Sequence, residues 1–367
     1  MTDLHASIVG WGHYVPDRVV TNAELAALVD TSDEWIQSRS GIRERRFADP
    51  SQATSDLCVE AANRAITRAG IDPADIDLVL VATSSPDYLT PPVSSQVQHR
   101  VGASRAGAMT LMVGCTGFVY GLVTAEQFIR TGAYRTVLLV GAETISKNID
   151  MTDRNTCVLF GDGAGAVVLQ ASAKPCGVVG FELGSDGSAF EAIIAPCPGT
   201  RIPVSQEAID QRLHYLRMDG RAVFKFATRT MVESVGRVLG DAGLSLDDVD
   251  LLVPHQANAR IIEYAAEQLG LPADKVVMNV ERFGNTSAAS IPIALSEVLD
   301  SGRAKAGDML ALVGFGAGLT WAACAFRLGS LVAVARAPAG ANRLAAPISG
   351  DGGPADGVSP IVEGLIA

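Results

Sequence analysis

Apolar residues run without interruption at Leu78-Val79-Leu80-Val81-Ala82, Val137-Leu138-Leu139-Val140 and Leu251-Leu252-Val253. A strand that is apolar at every position is covered on both faces, so these runs predict interior strands of sheets flanked by helices. Helical spacing of apolar residues occupies Ser55 to Ala69 and Ala222 to Ala242, and returns after Gly117, where Phe118, Leu122, Val123, Phe128 and Ile129 recur. Strands alternating with helices predict an α/β fold.

The pattern occurs twice. Ala69-Gly70-Ile71 followed by Asp75-Ile76-Asp77-Leu78-Val79 returns as Ala242-Gly243-Leu244 followed by Asp248-Val249-Asp250-Leu251-Leu252. At the same offset, Thr136-Val137-Leu138-Leu139-Val140-Gly141 returns as Met309-Leu310-Ala311-Leu312-Val313-Gly314. Gly114-Cys115-Thr116 pairs with Gly284-Asn285-Thr286 three residues out of step, and each triplet opens a helical pattern. A period this long denotes two homologous halves rather than a solenoid. The halves are expected at 1–172 and 173–330, each with a mixed or largely parallel sheet of about five strands, packed back to back. Residues 331–367 turn rich in Ala, Pro and Gly and read as a disordered tail, with Ile361 to Ala367 as a frayed apolar end.

Composition narrows the function. Of 367 residues 48% are hydrophobic and 19% charged, which argues against disorder over most of the length. The net charge of −11 would repel a polyanion, so nucleic acid is excluded as a partner. The N-terminus lacks the basic and apolar regions of a secretory signal, and no apolar run is long enough for a membrane span. Six scattered cysteines suit reduced thiols in a cytoplasmic enzyme better than a disulfide frame or a zinc site.

Cys115 stands between the strand-like Met109 to Val113 and the helix that follows. A thiol at a helix start meets free N–H groups and the positive end of the macrodipole, which lower its pKa and favour the nucleophilic thiolate. Among the five histidines, His255 alone directly follows a predicted strand, where α/β folds build their sites. Asn285 alone would pass for a helix cap, but it fills in the second half the slot that Cys115 fills in the first. Gly161-Asp162-Gly163-Ala164-Gly165 and Gly314-Phe315-Gly316-Ala317-Gly318 fall one residue short of the dinucleotide fingerprint and lack its acidic partner, so a dehydrogenase reading is weak. The second stretch is placed to supply a backbone N–H to an oxyanion hole.

Thr31-Ser32-Asp33-Glu34-Trp35-Ile36, Gly41-Ile42-Arg43-Glu44-Arg45, Gly114-Cys115-Thr116-Gly117-Phe118, Phe160-Gly161-Asp162-Gly163, Val253-Pro254-His255-Gln256 and Gly284-Asn285-Thr286-Ser287 together resemble β-ketoacyl-acyl carrier protein synthase III of the thiolase superfamily. The resemblance runs from about residue 5 to 328. It implies a thiolase-like α/β fold of two pseudo-symmetric halves in αβαβα layers, and a Cys115, His255 and Asn285 triad. It implies that Cys115 takes an acyl group from acyl-CoA, with the Cys115 and Ala317 N–H groups as oxyanion hole. Malonyl-acyl carrier protein then loses CO₂ and attacks the acyl group, with His255 and Asn285 holding the enolate oxygen. Acyl-CoA is a substrate here, and no cofactor or metal is expected.

By the same resemblance Trp35, Arg39, Arg154, Phe224, Ala257 and Asn258 surround the CoA channel, with Trp35 and Arg154 stacking on adenine. Phe160 and Phe315 line the inner tunnel, and Thr90 reaches across a homodimer to bound the acyl pocket. Lys225 and Arg260 match the basic patch that docks the carrier protein, while Glu267-Gln268 depart from it. The competing readings are an acyltransferase of this fold that passes the acyl group to a hydroxyl or amine, and a non-catalytic scaffold.

Overall fold

The computed structural model describes residues 4–333. The tail reading covers residues 331–367, of which 334–367 lie outside the described residues.

The first sheet is built from β1 (His5–Tyr14), β2 (Leu78–Ala82), β3 (Gly107–Leu111), β4 (Thr136–Glu143) and β5 (Gly163–Ser172), in the order β1-β5-β4-β2-β3. β2 runs parallel to both β3 and β4, and β5 runs antiparallel to β4 and β1. The second sheet uses β6 (Gly177–Ser185), β7 (Leu251–Pro254), β8 (Met309–Gly316) and β9 (Thr320–Arg327) in the order β7-β8-β9-β6. Its pairing repeats that of the first sheet, with β7 parallel to β8 and the other pairs antiparallel.

One expectation needs correction. Among the described residues the second sheet has four ladder strands rather than five, and at the fifth position Val276 makes a single parallel bridge to Leu252. The backbone groups that would extend that ladder are taken by a side chain: Gln256 Nε2 donates to Val277 O at 3.0 Å, and Gln256 Oε1 accepts from Asn279 N at 2.9 Å.

Seven helices set the layers: α1 (Asp33–Ser40), α2 (Thr54–Ala69), α3 (Val93–Arg100), α4 (Gly117–Arg130), α5 (Gly220–Asp241), α6 (Ala259–Leu269) and α7 (Ser290–Asp300). α4 and α7 lie between the sheets, where Phe118 and Leu122 pack with Leu139, Leu310 and Phe326. α7 is buried all round, from Ile291 through Leu299, as an interior helix must be. α2 and α3 cover the outer face of the first sheet, and α5 and α6 pack outside the second. The result is the layered α/β arrangement expected from the repeat. It places the starts of α4 and α7 together at one end of the sheets, where the turns Gly114–Thr116 and Ser287–Ala289 touch.

α4 also carries a buried acid. Glu126 is fully buried and accepts from Ala6 N and Val178 N, both at 3.3 Å, so it ties β1 to β6. Burial pushes its carboxyl up to about 7 from an ordinary 4.5. The folded chain therefore holds a proton that the unfolded chain releases. The stabilisation is complete below about 4.5 and is lost as pH rises to about 7. Glu126→Gln is expected to gain up to about 3 kcal/mol on wild type between pH 5 and pH 8. Denaturant unfolding at the two pH values checks this, and a constant difference would contradict it.

Candidate active site

The chain leaves β3 through Val113 and turns at Gly114, whose φ of +58° is a left-handed conformation that suits glycine. Thr116 Oγ1 donates to Val113 O at 2.6 Å and closes the turn. Opposite lies the end of β8. A Cβ added to Gly316 would stand 2.6 Å from Cys115 N, and one added to Gly114 would stand 2.9 Å from Ala317 N. The two glycine-bearing segments thus pack backbone on backbone, which gathers the Cys115 and Ala317 N–H groups at one wall of a cavity.

His255 follows β7, its N–H bonded to Val313 O at 2.8 Å. Nδ1 lies 2.6 Å from Ser290 Oγ, and that oxygen also accepts from Gln256 N at 3.3 Å. A Ser290 hydroxyl that donates to Nδ1 leaves the ring proton on Nε2. His255 Nε2 is buried and meets no protein partner. The Phe315 ring stands edge-on at 5.4 Å, and burial holds the imidazole down to about 3, so it is neutral at physiological pH.

Asn285 is pinned by backbone on both sides, its N–H to Leu159 O at 2.8 Å and its carbonyl to Gly161 N at 3.0 Å. Its Oδ1 accepts from Ser287 N at 2.8 Å, which leaves the amide NH₂ as the end free to donate. The neutral imidazole of His255, with Nε2 unpartnered among the described residues, and the Asn285 amide therefore share this cavity with the cysteine.

The electrostatics of Cys115 differ from the sequence expectation of a lowered pKa. Burial pushes the thiol up to about 12, with the Glu143 carboxylate adding to the rise, while a hydrogen bond with Ser287 acts the other way. The helix start does not outweigh desolvation here, because the half-buried cysteine faces the cavity rather than bulk solvent.

The cavity encloses about 580 Å³. Cys115, His255, Asn285 and Ala317 line it together with Phe160 and Phe315, and its outer part is lined by Trp35, Arg39, Arg154, Phe224, Ala257 and Asn258. The Arg154 guanidinium stacks on the Trp35 ring at 5.3 Å. Asn258 also serves the fold: it caps α6 through Arg260 N at 2.9 Å and donates to Arg39 O at 3.0 Å. Lys225 and Arg260 are exposed and do not line the cavity, though Arg260 lies 5.8 Å from the Phe224 ring. Thr90 is exposed on the single chain, also apart from the cavity lining.

Sequence reasoning assigned no role to Ser290, Ser287 or Glu143. A signal for Glu143 existed, since a carboxylate ending the apolar run Thr136–Glu143 is costly to bury without a purpose. The two serines carried no signal of their own beyond neighbouring Asn285.

Comparison with known proteins identifies the family. Residues 109–187 match the family model for 3-oxoacyl-[acyl-carrier-protein] synthase III, and residues 239–328 match the model for its C-terminal part. The chain is 50% identical over 319 residues to a beta-ketoacyl-[acyl-carrier-protein] synthase III of Caldanaerobacter subterraneus subsp. tengcongensis, covering 87% of this chain and 96% of that protein. It is 51% identical over 326 residues to a synthase III 1 of Bacillus anthracis, covering 89% and 100%. The solved synthase III of Thermus thermophilus superposes with a TM-score of 0.82 at 46% identity, covering 88% of this chain and 99% of that one. Half of all residues shared along nearly the whole of those relatives, on a fold that carries cysteine, histidine and asparagine into one cavity, leaves a single assignment: the chain belongs to the beta-ketoacyl-[acyl-carrier-protein] synthase III family.

Proposed function

We propose that this acyltransferase condenses an acyl-CoA with malonyl-acyl carrier protein, releasing CO₂ and giving a 3-oxoacyl-acyl carrier protein that starts fatty acid or polyketide synthesis. The observation that carries the reading is the buried His255 Nε2, a neutral donor without a protein partner in the cavity that Cys115 and Asn285 also line. Cys115 attacks the thioester, and the oxyanion is held by the Cys115 and Ala317 N–H groups. After malonyl decarboxylation, His255 Nε2–H and the Asn285 amide hold the enolate oxygen while its carbon attacks the acyl group. A neutral imidazole suits this role, because the donor must bond an enolate without protonating its carbon.

Trp35 and Arg154 open to take the adenine ring between them, Arg39, Phe224, Ala257 and Asn258 line the path of the CoA arm, and Phe160 and Phe315 wall the inner tunnel. Lys225 and Arg260 offer cations at the mouth to an acidic carrier. All the chemistry resides in the thioesters and these side chains, with no cofactor. The six free thiols suit a cytoplasmic setting. Mass spectrometry of the carrier protein tests the reaction: conversion of malonyl- to 3-oxoacyl-carrier supports it, and an unchanged carrier with the acyl group found on a hydroxyl or amine would overturn it.

A homodimer completes the proposal. β3 is the edge of the first sheet, and Met112 just beyond it is 61% exposed, as is Leu89 at 75% in the loop after β2. An open edge flanked by apolar side chains is a pairing surface. Two copies joined there would bring Thr90 toward the partner's acyl pocket. Sedimentation at micromolar concentration is expected to give twice the chain mass, and a monomer would contradict the dimer.

A further inference from the structure

Glu143 is fully buried beside the nucleophile, and the condensation as described has no use for it. Its carboxylate accepts from Ser84 N at 3.1 Å, Thr83 Oγ1 at 3.1 Å, Ser85 Oγ at 2.6 Å and Ser287 Oγ at 3.0 Å. Thr83 Oγ1 also accepts from Ser85 N at 3.1 Å, and Ser85 Oγ from Thr144 N at 2.9 Å, which leaves the hydrogen of each hydroxyl available to Glu143. With one N–H and two aimed hydroxyls before Ser287 is counted, the donor set is that of an ionised carboxylate.

Ser287 joins this anion to the nucleophile. Its backbone has a φ of +50°, uncommon for a residue with a side chain, and its hydroxyl bonds both Glu143 and the Cys115 thiol. One hydroxyl hydrogen cannot serve both. With that hydrogen on Glu143, the Ser287 oxygen faces the sulfur as an acceptor and receives the thiol proton. In the reading above His255 Nε2 is the donor to the enolate, so the thiol proton needs another acceptor.

We infer that Ser287 and Glu143 form the proton path that generates the Cys115 nucleophile. The inference rests on the acyl-transfer reading above. As the bond from Cys115 Sγ to the acyl carbon forms, the thiol proton passes to Ser287 Oγ, whose own proton passes to Glu143. The bond from the acyl carbon to the CoA sulfur breaks, and CoA leaves as thiolate and takes its proton from solvent. When condensation later expels Cys115 as thiolate, Glu143 returns the proton through Ser287, so the path closes over one cycle. His255 stays neutral throughout. The titratable groups facing Glu143 are the thiols of Cys115 and, from α2, Cys58; Asp56, Asp87 and Arg100 act on Cys58 in turn. Burial raises the Glu143 carboxyl above its ordinary range, so protonation shuts the path as pH falls.

The test is the rate of Cys115 acylation by acetyl-CoA and isobutyryl-CoA, read by quench-flow and intact mass from pH 5 to 9, in wild type, Ser287→Ala, Ser287→Gly and Glu143→Gln. Ser287→Gly removes the hydroxyl and eases the left-handed backbone, so the test survives if Glu143→Gln does not fold. Wild type is expected to acylate at a rate that falls as pH is lowered and Glu143 takes a proton. The variants are expected to lose at least about 10²-fold at pH 7 and to regain rate steadily toward pH 9, as direct thiol ionisation takes over. Variants that keep the wild-type profile would overturn the path alone. A wild type that takes no acyl group from either thioester would overturn the reading beneath it.

Discussion

His255→Ala is expected to leave Cys115 acylation within a few-fold of wild type while slowing the malonyl-dependent step by about 10²–10³-fold, the usual cost of losing one preorganised donor to an oxyanion. The split follows from the geometry. The first half-reaction uses the sulfur, its proton acceptor and two backbone N–H groups, none of which His255 supplies. The second builds charge on the enolate oxygen, where the unpartnered Nε2–H is needed. Asn285→Ala is expected to share the condensation defect. It should also lose a few-fold in acylation, because Oδ1 holds the Ser287 N–H at 2.8 Å and removing it loosens the turn beside the thiol. The pH dependence adds a second check. With the imidazole held down to about 3, condensation from acyl-enzyme should show no limb from its titration between pH 5.5 and 8. Single-turnover assays of CO₂ release from pre-acylated protein measure both effects, and unimpaired condensation by His255→Ala would refute the role.

Gly316→Ala should be nearly as damaging although it removes no functional group. The added Cβ would stand 2.6 Å from Cys115 N and 3.1 Å from Cys115 Cβ, so the backbone that presents the nucleophile must move. A displacement of about 1 Å at the reacting atom costs on the order of 10²-fold. Both half-reactions are expected to fall by that much, with a loss of about 1–3 kcal/mol in stability from overpacking. Gly240→Ala is the control, since a Cβ there meets nothing within 4 Å. Acylation kinetics of the two variants decide the matter, and wild-type rates in Gly316→Ala would show that the close approach is not needed.

The architecture was legible because it is written twice. The repeat that relates Gly70 to Gly243 and Gly141 to Gly314 maps β2 onto β7 and β4 onto β8, and the strand orders of the two sheets match as a result. It also put Cys115 and Asn285 in equivalent slots, and the structure opens α4 and α7 just after them. What escaped is what non-local packing decides. The missing fifth strand goes with Pro254, which has no N–H for the next ladder bond, and with Gln256, whose side chain takes up Val277 and Asn279 instead. The thiol's pKa depends on desolvation and on Glu143, which lies 28 residues downstream and meets the site through Ser84 and Ser287. A helix start is visible in a sequence; the material packed over it is not.

The central claim is that Cys115 carries the acyl group into a decarboxylative condensation. Intact-protein mass after incubation with a panel of acyl-CoAs, followed by malonyl-carrier protein with CO₂ detection, tests it most directly. The account predicts a single acyl adduct on Cys115, absent in Cys115→Ala, that malonyl-carrier protein discharges with one CO₂ per adduct. An adduct that persists in the presence of malonyl-carrier protein, or CO₂ released without discharge of the adduct, would contradict it.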